Sequence, residues 1–107
     1  ELKIYDTATG KRPFDKWINN LGDQKAQIAI DLRLGRVKMG NLGDCEPVGN
    51  MVFELKFKLG PGYRIYFAKH GLTIILLLCG GDKKSQAKDI VKAKRYLQDF
   101  KNSGAKL

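Results

Sequence analysis

The sequence has 107 residues, of which 43% are apolar, so it can form one packed core but is too short for two. Twenty Lys and Arg residues against eleven Asp and Glu give a net charge of +9, which favours polyanionic partners such as nucleic acid or an acidic protein. The longest apolar run, Ile74–Cys79, is far too short to cross a membrane, and the first residues do not resemble a signal peptide. We therefore predict a single cytoplasmic domain over residues 1–107 with no membrane partner.

The first half of the chain predicts a strand and a helical hairpin. Residues 2–6 alternate as in a short strand, and Pro13 suits the first turn of a following helix. Apolar side chains at helical spacing predict that this helix covers residues 13–21. Asp23 is the predicted N-cap of a second helix that ends near Lys38. The polar, glycine-containing residues 40–49 are predicted to be a connection.

From Val52 the apolar period changes from 3.6 to 2, which predicts strands. A strand after Val52 and a return strand over 63–68 flank the turn Gly60-Pro61-Gly62. Residues 72–79 are apolar on both faces and predict a central strand. Ser85 is the predicted cap of a last helix. The order β-α-α-β-β-β-α predicts a small α+β domain, an antiparallel sheet with the helical hairpin packed on it and a C-terminal helix.

Strand alternation places cations on one side of the predicted sheet. Lys56 and Lys58 alternate with apolar residues and should face solvent, and on the return strand Arg64 and Tyr66 should do the same. Lys83 and Lys84 follow the central strand and precede a helix N-terminus, where backbone N–H groups also attract anions. The sequence therefore predicts an open basic face, with Arg64 suited to phosphate oxygens. A basic face that is merely solvated remains the alternative.

Three motifs carry a resemblance to a known family. They are residues 54–56 (ELK), 60–67 (GPGYRIYF) and 77–86 (LLCGGDKKSQ), and they are accompanied by Trp17, the Arg33–Arg36 stretch, residues 40–44 (GNLGD) and Val48-Gly49. Together these residues resemble RelE/HigB-type toxins of bacterial type II toxin–antitoxin systems, the addiction module killer proteins. The resemblance covers nearly the whole chain. It implies a βααβββα toxin that cleaves mRNA, commonly on the ribosome, and inhibits translation.

The resemblance also implies roles for individual residues. Arg64 matches the arginine that stabilises charge at the scissile phosphate, and Lys56 and Lys58 match a basic pair on the preceding strand. Lys56 stands where the subgroup usually has arginine. Lys83 lies in a loop where relatives place a further arginine and a tyrosine or histidine, so the residue that transfers the proton is left open. The candidate RNA-binding residues under this interpretation are Lys58 of the basic pair, Tyr66 beside Arg64, Lys84 and Gln86 of the loop, and Arg33 and Arg36 of the second helix.

The implied reaction is metal-free cleavage of RNA by its own 2′-hydroxyl, which needs cations on the phosphate more than a nucleophile from the protein. Lys56 or Lys83, held among like charges, could have a lowered pKa and act as base or acid. We predict no cofactor and no metal. The implied partners are mRNA, the ribosome and a helix-turn-helix antitoxin similar to HigA, with operator DNA bound only through the antitoxin complex. Two alternatives remain open, a ParE-like inhibitor of DNA gyrase on the same fold and a basic nucleic-acid-binding module.

Other residues have simpler interpretations. Trp17 lies on the apolar stripe of the first helix and is predicted to be core. His70, the one histidine, is predicted to lie in an exposed turn without a catalytic role. The two cysteines, Cys45 and Cys79, lie 34 positions apart without a C-x-x-C motif and are predicted to be reduced. A closed zinc site is not expected, because two cysteines and one histidine cannot complete four ligands without carboxylates.

Overall fold

The computed structural model describes residues 1–70, without the side chain of His70, and residues 74–104. These residues form three helices and a five-stranded sheet, and the predicted α+β class is confirmed. The elements in chain order are β1 (Leu2–Ile4), α1 (Pro13–Asn19), α2 (Gln24–Lys38), β2 (Cys45–Gly49), β3 (Val52–Lys56), β4 (Arg64–His70), β5 (Ile74–Gly81) and α3 (Gln86–Asn102).

Local sequence signals explain where the first helices begin. Pro13 is the first residue of α1, as predicted, where its missing N–H costs no hydrogen bond. Asp23 caps α2, since its Oδ1 accepts a hydrogen bond from the Ala26 N–H at 3.0 Å. Ser85 precedes α3 as predicted, but its side chain makes no cap bond and instead donates to Asp89 Oδ2.

The sheet has the strand order β1-β5-β4-β3-β2. It is mixed, because β1 pairs with β5 in parallel while the other neighbours are antiparallel. The connection predicted over 40–49 contains β2, so this part of the prediction is wrong. Pro47 and Gly49 hid the strand in the sequence. Both residues are tolerated here because β2 is an edge strand, where one side of the backbone needs no partner.

Helices cover both faces of the sheet. On one face α1 and α2 pack on the inward side chains of β3, β4 and β5, as predicted for residues such as Leu55, Ile65 and Phe67. On the other face α3 lays Ala93 and Leu97 over Tyr66 and Leu78. The prediction of an open second face is therefore wrong for most of its area. Burial of apolar side chains on both faces stabilises the central strands at about 25 cal/mol per Å² removed from water.

A bulge changes the direction of side chains near the end of β5. Tyr66 lies opposite Cys79 and Phe67 lies opposite Leu77, so Leu78 is the extra residue. Leu78 and Cys79 consequently both join the cluster under α3. The remaining cysteine, Cys45, is half-buried on β2, and both cysteines are free thiols, as predicted.

The glycines after the bulge allow helices to approach β5 closely. A Cβ on Gly80 would lie 2.3 Å from Trp17 Cε3, and a Cβ on Gly81 would lie 1.8 Å from Asp89 Oδ2. Trp17 is half-buried and packs against the core, which confirms its predicted position. The backbones of Lys69 and His70 belong to β4 and pair with Ile75 and Ile74, so the turn predicted over residues 69–71 is wrong at these two residues. Gly71 and the side chain of His70 lie outside the described residues.

Candidate functional site

Cations from three chain segments meet at one end of the sheet. Lys56 and Arg64 are direct cross-strand neighbours on β3 and β4. A Cβ built on Gly62 would lie 3.2 Å from Arg64 Nη1 and 3.5 Å from Lys83 Cβ, so Arg64 and Lys83 flank the same glycine. The Lys83 N–H also donates to the Pro61 carbonyl at 3.4 Å, which joins its loop to the β3–β4 turn. We call Lys56, Arg64 and Lys83 the cation site.

A buried carboxylate lies beneath this site. Glu54 is fully buried, and its Oε2 accepts hydrogen bonds from Tyr66 Oη and Gln86 Nε2, each at 2.9 Å. The same oxygen lies 3.5 Å from Arg64 Nε. A buried carboxylate is costly unless charge and hydrogen bonds compensate for its lost hydration. Arg64 is the cation that compensates Glu54.

The guanidinium of Arg64 is held from two sides. Its side chain is 13% exposed, with Nε toward Glu54 and Nη1 donating to the Gly62 carbonyl at 2.7 Å. Glu54 Oε1 and Arg64 Nε are buried without a hydrogen-bond partner, so the ion pair is electrostatic in character. Among the described residues, none accepts a hydrogen bond from Arg64 Nη2. This nitrogen is left to solvent at the cation site, where it could meet an anionic ligand.

Lys56 does not have the lowered pKa expected from crowded cations. Its ammonium forms an ion pair with Glu46 on the neighbouring edge strand β2. The hydrogen bond to Glu46 raises the pKa of Lys56 above its usual value. The expectation of a lysine poised to act as a base is therefore wrong for Lys56, because the sequence did not reveal β2 or the carboxylate it supplies. An ammonium with a raised pKa is protonated at neutral pH, so it can stabilise a phosphate or act as a proton donor.

The remaining predicted residues of this region differ in their exposure. Lys58 and Lys84 are exposed, as predicted, in the segments that border the cation site. Gln86 begins α3 and directs its amide to Glu54, so it supports the buried carboxylate.

Tyr66 does not lie on an open surface. The side chain is fully buried under α3, so the prediction of an exposed tyrosine beside Arg64 is wrong. Burial and the hydrogen bond to Glu54 raise the pKa of Tyr66 far above the usual tyrosine value. The phenol therefore stays protonated and serves as a fixed donor to Glu54. It has no face on which an RNA base could stack.

The structure also differs from the prediction that Arg33 and Arg36 form a basic, RNA-contacting surface on α2. Arg33 donates to the carbonyls of Lys56, Leu42 and Asp44, and its guanidinium lies 4.5 Å from the centre of the Phe57 ring. Burial lowers the pKa of Arg33. These contacts fasten α2 to β3, so Arg33 is a structural residue and not a solvated RNA contact. Arg36 is exposed on α2, which packs on the face of the sheet opposite α3.

Neither a metal site nor a membrane-spanning helix occurs in the described part of the chain. Within residues 1–70 and 74–104, no cluster of His, Cys, Asp and Glu side chains has the geometry of a metal site. No helix in the same residues is long and apolar enough to span a membrane.

Sequence reasoning missed the role of Glu54 and the cover that α3 provides. The signal was present in the apolar stripe of the last helix, which needs a partner surface. Since the helical hairpin occupies one face of the sheet, only the other face was available. That face carries Glu54 and Tyr66, so their burial follows from the position of α3.

Comparison with other proteins gives a family relationship. The chain is 41% identical over 87 residues to an uncharacterized protein of Haemophilus influenzae, and the alignment covers 81% of this chain and 88% of that relative. No family model and no solved structure matches the chain. At this identity and coverage, the chain belongs to the same family as the Haemophilus influenzae protein.

Proposed function

We propose that this protein is the toxin of a type II toxin–antitoxin system and a metal-free endoribonuclease that cleaves mRNA on the ribosome. The observation that carries the proposal is the meeting of Lys56, Arg64 and Lys83 from three separate segments. The resemblance to RelE/HigB-type toxins at the motifs around these residues supplies the substrate class. The net charge of +9 favours association with RNA.

In the proposed reaction the 2′-hydroxyl of the substrate attacks the adjacent phosphorus. The bond from phosphorus to the 5′-oxygen breaks, and the products carry a 2′,3′-cyclic phosphate and a 5′-hydroxyl. Arg64 Nη2 and the Lys83 ammonium stabilise the charge that develops on the phosphate oxygens. Lys56, kept protonated by Glu46, donates a proton to the leaving 5′-oxygen. The proton of the attacking hydroxyl passes to solvent.

Glu54 is a positioning residue in this mechanism. It is buried under Tyr66 and Gln86 and has no access to substrate, but it fixes the Nε edge of Arg64. With Nη1 held by the Gly62 carbonyl, the guanidinium has one direction in which to meet a phosphate. Such preorganisation lowers the reorganisation needed at the moment of reaction.

The proposed partners follow from the same assignment. A helix-turn-helix antitoxin neutralises the toxin, and operator DNA is bound only through the complex of the two proteins. Surface complementarity to a protein of charge +9 requires the antitoxin to be acidic where it touches this chain.

The test is to induce the protein in bacterial cells and map the 5′ ends of cellular mRNA. Cleavage within translated codons that leaves 5′-hydroxyl ends supports the proposal, provided that it is absent when the double variant Glu54→Gln/Arg64→Ala, which leaves no unpaired buried charge, is induced at equal soluble level. Growth arrest with intact mRNA and inhibited DNA supercoiling would instead identify a gyrase inhibitor and overturn the endoribonuclease assignment.

A further inference from the structure

A groove separates α1 from α3 along the outer edge of β5. It encloses about 570 Å³ and lies between Lys16 and Trp17 of α1, Gly80 and Gly81 of β5, and Lys92 and Tyr96 of α3. We call it the α1–α3 groove. A second cavity of about 380 Å³ shares Lys16 and Tyr96 with it and adds Lys11 and Arg12. The two cavities are neighbours, because they share lining residues, and neither is lined by Lys56, Arg64 or Lys83.

The charged side chains around the two cavities differ in whether they already have a partner. Lys11, Lys16 and Lys92 have no ion-pair partner among the described residues, whereas Arg12 pairs with Asp15. The carboxylates of Asp89 and Asp82, near the end of β5, both accept hydrogen bonds from Ser85. Asp89 Oδ2 accepts a hydrogen bond from Ser85 Oγ at 2.5 Å, and Asp82 Oδ1 accepts one from the Ser85 N–H at 3.0 Å. The groove itself therefore holds two lysines without an ion pair in the described part of the chain, Lys16 and Lys92, and at its β5 end the carboxylates of Asp82 and Asp89. The adjoining cavity adds Lys11 as a third such lysine.

The floor of the groove is an unpaired strand edge. Among the described residues β1 pairs with Ile75–Leu77, and the last backbone contact on this edge is the hydrogen bond from the Tyr5 N–H to the Leu77 carbonyl at 3.0 Å. β5 continues to Gly81, so its last four residues, about 13 Å of strand, have no neighbour on this edge within the described part of the chain. The bulge at Leu78 shifts by one residue the alternation in which backbone N–H and C=O groups point to one edge of β5 or the other. Gly80 therefore turns its N–H and C=O toward the groove.

The aromatic side chains of the groove do not favour a nucleic acid. One face of Trp17 lies on Gly80, and the ring also contacts Phe14 and Tyr63. Tyr96 stacks on Tyr5 with ring centres 5.1 Å apart. Single-stranded nucleic acids bind by stacking bases on free aromatic faces, and the rings here are already used in packing. A strand edge beside unpaired lysines matches a polypeptide better.

We propose that the α1–α3 groove binds an extended acidic segment of a partner protein, which adds to the edge of β5 as a further strand. The backbone of the segment pairs with Gly80, and its carboxylates meet Lys16 and Lys92 in the groove and Lys11 in the adjoining cavity, away from Asp82. Strand addition uses main-chain hydrogen bonds for affinity and side-chain contacts for specificity. The proposal is independent of the endoribonuclease assignment, because the groove contains none of Lys56, Arg64 and Lys83.

The first experiment uses a capped peptide of alternating Glu and Val, about six residues long, which spans the four-residue free edge with one residue to spare at each end. Titrated into the ¹⁵N-labelled protein, it should shift the amide resonance of Gly80 saturably, together with those of Lys16 and Lys92. The control is the same peptide with alternate amides N-methylated, which keeps the charge but removes strand pairing. Equal binding of both peptides, or no saturable shift at Gly80, overturns the proposal.

The second experiment changes the protein. Lys16→Glu combined with Lys92→Glu should weaken the peptide roughly tenfold or more, since both cations near its carboxylates become anions. Lys25→Glu combined with Lys101→Glu makes the same change in net charge at exposed positions outside the groove and should weaken it far less. Equal losses in the two variants mean nonspecific attraction to a basic protein. An oligouridylate that binds at Gly80 while the peptide does not would show a nucleic-acid groove, and either result refutes the proposal.

Discussion

Replacement of Arg64 by Ala should affect stability as well as cleavage. An exposed catalytic arginine could be removed with little effect on folding, and the sequence pattern predicted that kind of position. The arginine is instead 13% exposed and is paired with a fully buried carboxylate. In Arg64→Ala, Glu54 keeps its two neutral donors, Tyr66 and Gln86, but loses its cation.

The magnitude follows from the burial of the pair. Removal of one partner of a buried ion pair typically costs about 3–5 kcal/mol, because the other charge remains without compensation. A domain of this kind has a free energy of unfolding of roughly 5–15 kcal/mol, so the variant can be substantially unfolded. Loss of cleavage in Arg64→Ala alone would then not distinguish a chemical role from a folding defect.

A double-mutant cycle separates these two effects. Glu54→Gln removes the buried charge while an amide oxygen can still accept from Tyr66. In the double variant with Arg64→Ala no buried charge remains, and we expect a coupling free energy of about 2–3 kcal/mol between the two positions. Cleavage should stay roughly 10²–10³-fold below the parent in the double variant, since the donor to the phosphate is absent.

The assay combines urea unfolding, followed by circular dichroism at one ionic strength, with cleavage of a short RNA by the folded fraction. If Arg64→Ala unfolds within about 0.5 kcal/mol of the parent, the pair is not energetically coupled and the reasoning from burial is refuted. If the stable double variant cleaves RNA at the parent rate, Arg64 has no chemical role.

Three further predictions concern metal, alkali and thiols. Cleavage of a minimal RNA without ribosomes should persist in excess EDTA, and an activity that is lost and then restored by Mg²⁺ contradicts the proposed mechanism. Burial raises the pKa of Tyr5 and Tyr66, so the stability that their protonated phenols contribute is present below the ordinary tyrosine pKa of about 10 and is lost as pH rises above it. Tyrosinate absorbance and circular dichroism should therefore change together in alkali. Two separate transitions would contradict this prediction. Burial raises the pKa of the Cys79 thiol to about 12 and also raises that of half-buried Cys45. A thiol reagent at neutral pH should therefore label Cys45 first and Cys79 only when the protein unfolds, and mass spectrometry can measure this order.

The sequence was sufficient for most elements of the fold. Helical spacing predicted α1 and α2 with their first residues, and alternation predicted which side chains of β3 and β4 face the helical hairpin. These signals are local, since each depends on the period of one segment. The strand β2 was not predictable in this way, because Pro47 and Gly49 are common in connections and become tolerable only at a sheet edge.

The candidate site depended on information that no single segment contains. Alternation correctly placed Lys56, Arg64 and Tyr66 on one face, which also carries Glu54, but it could not say whether that face meets solvent or a helix. The position of α3 decides this, because the helix covers the part of the face that holds Glu54 and Tyr66 and leaves Lys56, Arg64 and Lys83 at least partly exposed. The pKa of Lys56 was likewise set by an unrecognised strand.

The cation site and the α1–α3 groove lie on opposite sides of the end of β5, which leads to a last prediction. Arg64 pairs with Gly81 on one side, and the loop after β5 contributes Lys83 to the cation site but Asp82 and Ser85 to the groove.

A segment bound in the groove therefore touches the loop that holds Lys83 without covering Arg64. We expect the acidic peptide to lower kcat for a short RNA while leaving KM nearly unchanged, because a shift of one cation alters transition-state stabilisation more than it alters binding. The measurement is steady-state cleavage at several peptide concentrations, with the N-methylated peptide as control. A peptide that raises KM and leaves kcat unchanged would show competition with RNA for one surface, and the two sites would then not be separate.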